Sequence, residues 1–260
     1  MHNRVLRLEG VHNFRDAGGY AVPSGGRIKQ GAIWRSGQHY GASEADLDRI
    51  AALRLVSVFD LRTSRERAVH PCRRPQGFAA KVFVAADAQL GHAPHLVAAK
   101  TARQRTPQST REGLTRTYRN ICFRPELQAM IRDWLTELAR GEGPILVNCM
   151  AGKDRTGIAV AMLHAALGLH RDDIMADYLL TNTAGDVEAR IAFGAAAIKA
   201  ITGQVDDAVL RVLMGVEIEY LQAAWMAVEE HYGTLDVYLE EALGLTRAKR
   251  EYLLEVLSEN

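Results

Sequence analysis

One short segment concentrates the residue types that could do chemistry. It reads Cys149-Met150-Ala151-Gly152-Lys153-Asp154-Arg155-Thr156-Gly157, and we call residues 149–155 the Cys149 loop. A thiolate is a nucleophile, and a guanidinium binds two oxygens of a phosphate group at once. Gly152 permits a tight turn, so that several backbone N–H groups can surround one anion. The spacing of Cys149 and Arg155 therefore predicts a nucleophile beside a phosphate-binding site.

The residues of this segment have distinct expected roles. We expect the phosphate to contact Met150, Ala151, Gly152, Lys153, Asp154, Arg155 and Thr156. A helix N-terminus and neighbouring cations favour the thiolate of Cys149. Its attack on phosphorus would form a cysteinyl-phosphate, which water then hydrolyses. The reaction needs no metal or cofactor, and the sequence has no residue cluster with metal-ligand spacing.

The leaving group needs a proton donor, and three aspartates are candidates. We rank Asp154 first because it lies in the loop, although its side chain could instead turn outward as a helix cap. Asp60 is second, and Asp87 is a further candidate, since each follows a predicted strand. Arg62 lies two positions after Asp60, and these two side chains could equally pair with each other. The residues alone leave the proton donor open.

Predicted strands and helices alternate around the loop. A short apolar run at 144–147 predicts a buried strand before it, and small and aliphatic residues at 156–167 predict a buried helix after it. Further strands are expected near 31–35, 55–59 and 80–84. Helices are expected from Ser43 and from Pro125, and almost throughout 171–257. This pattern predicts an α/β fold with a helical C-terminal portion.

Residues 91–120 differ from the rest of the chain. They hold few large apolar side chains, and their later part is rich in arginine. We expect a solvated, mobile loop. The alternative is a flap or helical lid that brings positive charge over an anionic substrate.

Composition restricts the class of protein. The 260 residues are 48% hydrophobic and carry a formal net charge of +1, so we expect one domain, 1–260, with no general attraction to nucleic acid. No apolar run is long enough to span a bilayer, so stable membrane insertion is not expected. Three cysteines without paired spacing indicate reduced thiols and a cytoplasmic protein, although secretion by a non-standard route would leave no trace in the sequence.

The Cys149 loop resembles the signature of the protein tyrosine phosphatase superfamily, a cysteine and an arginine separated by five residues. More narrowly, it is similar to that of the atypical bacterial tyrosine/serine phosphatases, a group with secreted mycobacterial members. The similarity extends to residues 13–20, 35–36 and 60–62 and to the C-terminal residues 238–246, in the expected order. It covers nearly the whole chain, and the Lys153-Asp154 pair is its most specific part.

The resemblance implies a small, mostly parallel central sheet flanked by helices. It also implies that Cys149 is the nucleophile, that Arg155 binds phosphate, and that Lys153 and Asp154 serve head-group binding and acid catalysis. The implied substrates are phosphotyrosine, phosphoserine/threonine and phosphoinositides, as in a dual-specificity hydrolase. One residue departs from the family pattern, since Asn148 stands where a histidine usually precedes the nucleophile.

The departure at Asn148 leaves a second interpretation. Asparagine donates hydrogen bonds but carries no charge, so the thiolate would be less favoured. The chain could then be a catalytically weak or inactive module that binds phosphoryl groups. The intact Cys149 and Arg155 favour an active phosphatase over this alternative.

Overall fold

The computed structural model of the chain describes residues 4–85, 106–202 and 205–259. Its strands are β1 Arg15–Asp16, β2 Arg27–Ile28, β3 Ile33–Ser36, β4 Ser57–Asp60, β5 Lys81–Val84, β6 Ile145–Asn148 and β7 Ser258–Glu259. The helices before the Cys149 loop are α1 Glu44–Ala51, α2 Ser64–Val69, α3 Pro107–Ile121 and α4 Pro125–Leu138. The helices after it are α5 Asp154–Ala166, α6 Arg171–Leu179, α7 Val187–Thr202, α8 Asp207–Met214, α9 Ile218–Tyr232, α10 Leu235–Glu241 and α11 Arg247–Leu257.

The main sheet has five strands in the order β1-β3-β6-β4-β5. Strands β3, β6, β4 and β5 run parallel, and β1 pairs antiparallel with β3 at one edge. A separate two-stranded sheet joins β2 to β7. Helices flank the main sheet and make up most of the chain after the Cys149 loop. The prediction of an α/β fold with a small, mostly parallel sheet and a helical C-terminal portion is confirmed.

The central strands are buried on both faces. Val58 and Leu146 face the smaller apolar cluster, which includes Leu47 and Ile50 of α1. The neighbouring residues Phe59 and Val147 face the larger cluster, which includes most of α5. Because side chains alternate along a strand, a central strand with a core on each side is apolar at almost every position. This explains why β6 appears in the sequence as a continuous apolar run.

Local signals placed several helices correctly. Ser43 caps α1 through a reciprocal pair of hydrogen bonds with Asp46, and Pro125 is the first residue of α4. Such caps satisfy backbone N–H groups that have no partner within the helix. Within the described ranges, none of the helices combines the length and the apolar character that a bilayer span requires.

The loop prediction for residues 91–120 is wrong for 107–120, which lie in helix α3. Thr106 caps this helix, and Pro107 fits its first turn because no backbone N–H is needed there. The helix buries Thr110, Leu114, Tyr118 and Ile121, a narrow stripe that the many arginines obscure in the sequence. Residues 91–105 lie outside the described residues, and the lid stays a prediction.

Candidate active site

The Cys149 loop lies where the carboxyl ends of three parallel strands meet. Ser36 of β3 and Asp60 of β4 are in register with Asn148, the last residue of β6. The loop follows Asn148, and α5 begins at Asp154. Cys149 itself is buried. Its thiol therefore lies at the sheet edge where α/β proteins collect backbone N–H groups and the positive end of a helix dipole.

The loop turns sharply at Gly152. This residue has a φ of 66°, in the left-handed region that side chains disfavour. A Cβ atom added there would lie 2.5 Å from the carbonyl carbon and oxygen of Ser36. Both the backbone conformation and the close approach of β3 therefore require glycine at this position.

Buried donors hold the outer side of the loop. The Gly152 carbonyl accepts hydrogen bonds from Asn13 Nδ2 at 2.7 Å and from Arg35 Nη2 at 3.1 Å, and the backbone N–H of Gln38 donates to the Met150 carbonyl at 3.1 Å. In a trans peptide the N–H points away from the carbonyl. The N–H groups of the same peptides are thus directed to the opposite side, where an anion can bind them.

One aspartate of α6 anchors these donors. Asp177 Oδ2 lies 2.5 Å from Arg35 Nη1, and its Oδ1 lies 3.6 Å from Arg15 Nε. Arg15 in turn donates to the side chain of Asn13. Burial alone would raise the pKa of the Asp177 carboxyl, but the two arginines outweigh it and lower this pKa to about 2. Burial, with Arg35 adding to it, lowers the pKa of Arg15 to about 9.

We expect Asp177→Asn to lower the free energy of unfolding by about 3–5 kcal/mol, because it leaves two buried guanidinium groups without a carboxylate. Urea denaturation at pH 7 measures this. The pKa of Asp177 is depressed in the folded protein, so the stabilisation is present above the unfolded-state pKa of about 4 and is lost as the pH falls toward about 2. The difference between wild type and variant should shrink over that interval.

Asp236→Asn is the matched control. Asp236 also pairs with an arginine, Arg250, but its side chain is 72% exposed, and such pairs contribute about 0–1 kcal/mol. Equal losses in the two variants would contradict the role assigned to Asp177.

Arg155 is clamped by a glutamate that the sequence analysis missed. Its Nη1 lies 2.8 Å from Glu66 Oε2 and its Nη2 lies 2.9 Å from Glu66 Oε1, and Nη1 also donates to the Leu61 carbonyl. Glu66 is itself fixed, since its carboxylate accepts from the backbone N–H of Thr63 at the start of α2. Burial opposes the charge on Arg155, but Glu66 and Cys149 more than offset it and raise the pKa of Arg155. The guanidinium is therefore charged and fixed in place.

Asp154 lies in a dense buried network. Its Oδ1 accepts a hydrogen bond from Tyr118 Oη at 2.8 Å and lies 3.1 Å from Lys153 Nζ. Lys153 also donates to the Gly215 carbonyl at 3.1 Å. Burial lowers the pKa of Lys153, and Asp154 partly offsets this. The side chain of Asp154 thus turns toward α3 and is not exposed at the surface as a plain helix cap.

The structure brings Asp60, Arg62 and Asn148 together. Arg62 binds both carboxylate oxygens of Asp60, with Nε 2.8 Å from Oδ1 and Nη2 2.7 Å from Oδ2. Asn148 Nδ2 lies 3.4 Å from Asp60 Oδ1. Asp60 is buried, and it couples Arg62 to the residue that precedes the nucleophile candidate. The third aspartate, Asp87, lies outside the described residues.

Three buried polar atoms near the loop have no hydrogen-bond partner within the part of the chain that the structure describes. They are Asn148 Oδ1, Arg155 Nε and Thr156 Oγ1. Buried polar groups in proteins are nearly always paired, so such atoms call for an explanation. A bound oxyanion beside Arg155 and Thr156 would supply acceptors for their N–H and O–H groups.

Helix α7 brings two further residues to the site. Arg190 is buried and donates to the Thr181 carbonyl, while burial lowers its pKa to about 10, against the influence of Asp154. The Phe193 ring lies 6.2 Å from the His12 ring and 5.8 Å from the His70 ring, measured between centroids. Neither residue stands near a motif, so no sequence signal singled them out.

Across the described residues, no group of three His, Cys, Asp or Glu side chains is arranged to hold a metal ion. The arrangement found here is suited instead to an oxyanion. A thiol, a charged guanidinium and a turn of backbone N–H groups converge, and a carboxyl group lies at the helix N-terminus beside them. Groups of these types can act as a nucleophile, as an anion-binding site and as a proton donor.

Comparisons with known proteins show which family the chain belongs to. A model described as the tyrosine phosphatase family matches residues 6–259. A protein of Cupriavidus necator named as a tyrosine-protein phosphatase is 34% identical over 241 residues, covering 92% of this chain and 84% of that protein. The triple specificity protein phosphatase PtpB of Mycobacterium tuberculosis is 33% identical over 273 aligned residues, covering 94% and 95%. Among solved structures, TpbA of P. aeruginosa matches with a TM-score of 0.33 and 16% identity, covering 71% and 86%.

Proposed function

Because the chain belongs to the tyrosine phosphatase family, we propose that it hydrolyses phosphomonoesters through a cysteinyl-phosphate on Cys149. The observation that carries the proposal is the clamp of Glu66 on Arg155. It fixes a charged guanidinium close enough to act on Cys149 electrostatically and leaves Arg155 Nε without a partner among the described residues. A guanidinium held in this way has a free N–H edge for phosphate oxygens.

In the proposed first step, the thiolate of Cys149 attacks phosphorus in line with the leaving oxygen. The S–P bond forms as the P–O bond breaks, and Asp154 transfers its proton to the leaving oxygen. Negative charge on the equatorial oxygens is stabilised by Arg155 and by the N–H groups of residues 150–155. In the second step, water attacks phosphorus, Asp154 accepts its proton, and the S–P bond breaks to release phosphate.

We prefer Asp154 to Asp60 as the proton donor. Both oxygens of Asp60 are engaged by the Arg62 side chain, and the backbone N–H of Arg62 and Asn148 Nδ2 also donate to Oδ1. The Asp60 carboxylate is therefore committed to contacts with Arg62 and Asn148. Asp60 is better suited to position Asn148, and through it the start of the Cys149 loop.

The proposed substrates are phosphotyrosine, phosphoserine/threonine and phosphoinositides. One relative is named a triple specificity protein phosphatase, and we extend a similar breadth to this chain. Because the cysteines at 72, 122 and 149 are unpaired, the cytoplasm is the proposed location.

The proposal is tested by trapping the intermediate. Wild-type protein mixed with an aryl phosphate and quenched in acid should carry one phosphoryl group on the peptide that contains Cys149. The peptides of Cys72 and Cys122 should stay unlabelled. Folded protein that binds inorganic phosphate but releases no phenol would overturn the proposed hydrolysis and favour the phosphoryl-binding module.

A further inference from the structure

A chain of hydrogen bonds leads from α6 through α3 to the carboxyl group of Asp154. Tyr178 Oη lies 2.8 Å from Tyr118 Oη, which lies 2.8 Å from Asp154 Oδ1. All three side chains are buried, with exposures of 2% or less. The chain therefore lies in a low-dielectric interior, where hydrogen bonds are strong and polarise one another.

The donor and acceptor of each hydrogen bond in this series follow from the protonation state of the two tyrosines. Burial raises the pKa of Tyr118 well above its usual value, and Asp154 raises it further. Burial also raises the pKa of Tyr178 well above its usual value. Both phenols therefore keep their protons over the whole range of enzyme assays. Tyr178 donates to Tyr118, and Tyr118 donates to Asp154.

Two donors converge on one oxygen of Asp154. Tyr118 Oη and Lys153 Nζ both contact Oδ1, at 2.8 and 3.1 Å. An oxygen that accepts two hydrogen bonds is a poor site for a proton, so the proton of the carboxylic acid is directed to Oδ2. The same two bonds stabilise the carboxylate that remains once the proton has been transferred.

Neighbouring residues pack closely against the rings of Tyr178 and Tyr118. A Cβ atom added at Gly157, in the first turn of α5, would lie 3.1 Å from Cε2 of the Tyr178 ring. The Tyr118 ring packs 5.4 Å from the Tyr220 ring, measured between centroids. Gly157 of the signature segment thus leaves room for the ring that supports Tyr118.

Several charged or titratable groups from different elements act on Asp154. They are Lys153, Arg155, Arg124, Tyr118, Tyr178, Tyr220 and Arg190. Tyr118 differs from the cations because its hydroxyl can be removed without changing the charge of the site. It is therefore the contact whose effect on proton transfer can be isolated.

We infer that Tyr118, supported by Tyr178, is a positioning residue for proton donation by Asp154. The inference rests on the proposed function, in which Asp154 protonates the leaving oxygen. Tyr118 holds Oδ1, keeps the transferable proton on Oδ2, and stabilises the carboxylate formed as that proton moves to the leaving group.

The test is the Tyr118→Phe variant, which keeps the ring and removes the donor. Loss of the donor makes the carboxylate less stable, so Asp154 should keep its proton to higher pH. The alkaline limb of the kcat profile should move up by about one pH unit. Below that limb, kcat for phosphoserine should fall roughly 10-fold, while kcat for p-nitrophenyl phosphate, whose leaving group needs little protonation, should change far less. Tyr178→Phe should shift the limb in the same direction and lower kcat for phosphoserine, both by less than Tyr118→Phe does.

Tyr238→Phe is the matched control. It removes the hydroxyl of another buried tyrosine, which donates to the Cys122 carbonyl at 2.8 Å, and it should leave the limb in place. If the role of Tyr118 were purely structural, Tyr118→Phe would lower kcat for both substrates equally at every pH and would not move the alkaline limb. That result would overturn the inference.

Asp154→Asn separates this inference from the proposed function. If Asp154→Asn removes the alkaline limb but Tyr118→Phe leaves the limb and the substrate ratio unchanged, only the role of Tyr118 is wrong. If Asp154→Asn keeps the limb, the proposed proton donor is wrong as well.

Discussion

Cys149→Ser is expected to lower kcat/KM for an aryl phosphate by at least roughly 10⁴-fold, because it replaces the nucleophile of both proposed steps. A serine hydroxyl is a far weaker nucleophile than a thiolate unless an adjacent base activates it. The cysteinyl-phosphate would no longer form, and release of the phenol would stop. Steady-state hydrolysis of p-nitrophenyl phosphate gives the measurement.

The same variant should still bind inorganic phosphate within a few-fold of wild type, since the backbone N–H groups and Arg155 remain. Cys122→Ala is the matched control, because Cys122 is a second buried cysteine, at the end of α3. Its activity per folded molecule should be unchanged. Retention of turnover by Cys149→Ser would show that another group attacks phosphorus.

Arg155→Lys should lower kcat/KM by roughly 10²–10³-fold, the loss typical of one oxyanion-stabilising donor. Arg155 makes two bonds to Glu66 and one to the Leu61 carbonyl and still has Nε for a ligand. A lysine ammonium is a single point charge that cannot make all these contacts at once. The inhibition constant of inorganic phosphate should rise together with the loss of kcat/KM.

Arg171→Lys provides the comparison for Arg155→Lys. Arg171 also contacts a glutamate, Glu229 at 2.6 Å, but its side chain is 63% exposed. The change there should leave kcat/KM unaffected. If Arg155→Lys kept wild-type kinetics, the clamp of Glu66 would have no bearing on phosphate binding.

The parts of the site that could be predicted from sequence are those in which chemistry and spacing are local. Cys149, Gly152 and Arg155 lie within one segment, and the apolar runs around it predict the strand and helix that hold it. The cap at Ser43 was predictable for the same reason, because its partner Asp46 is three residues away.

The missed residues act across long stretches of chain. Tyr118 is 36 positions from Asp154, Glu66 is 89 from Arg155, and Asp177 is 142 from Arg35. No helical or strand period links such pairs. Glu66 does belong to a capping pattern with Thr63, but that pattern predicts only the start of a helix. Helix α3 was missed for a related reason, since only four of its fifteen residues are buried and they give a weak apolar signal.

The position of Asp177 in the chain bears on the order in which the protein becomes active during synthesis. Arg15 and Arg35 leave the ribosome early, and the Cys149 loop follows, but the carboxylate that pairs with both arginines is synthesised only with α6. Until then the donors that hold the Gly152 carbonyl have no anchor. Long-range contacts of this kind form late in folding. The contacts of Arg15 and Arg35 with Asp177 therefore form only after α6 has been synthesised, later than Cys149 itself.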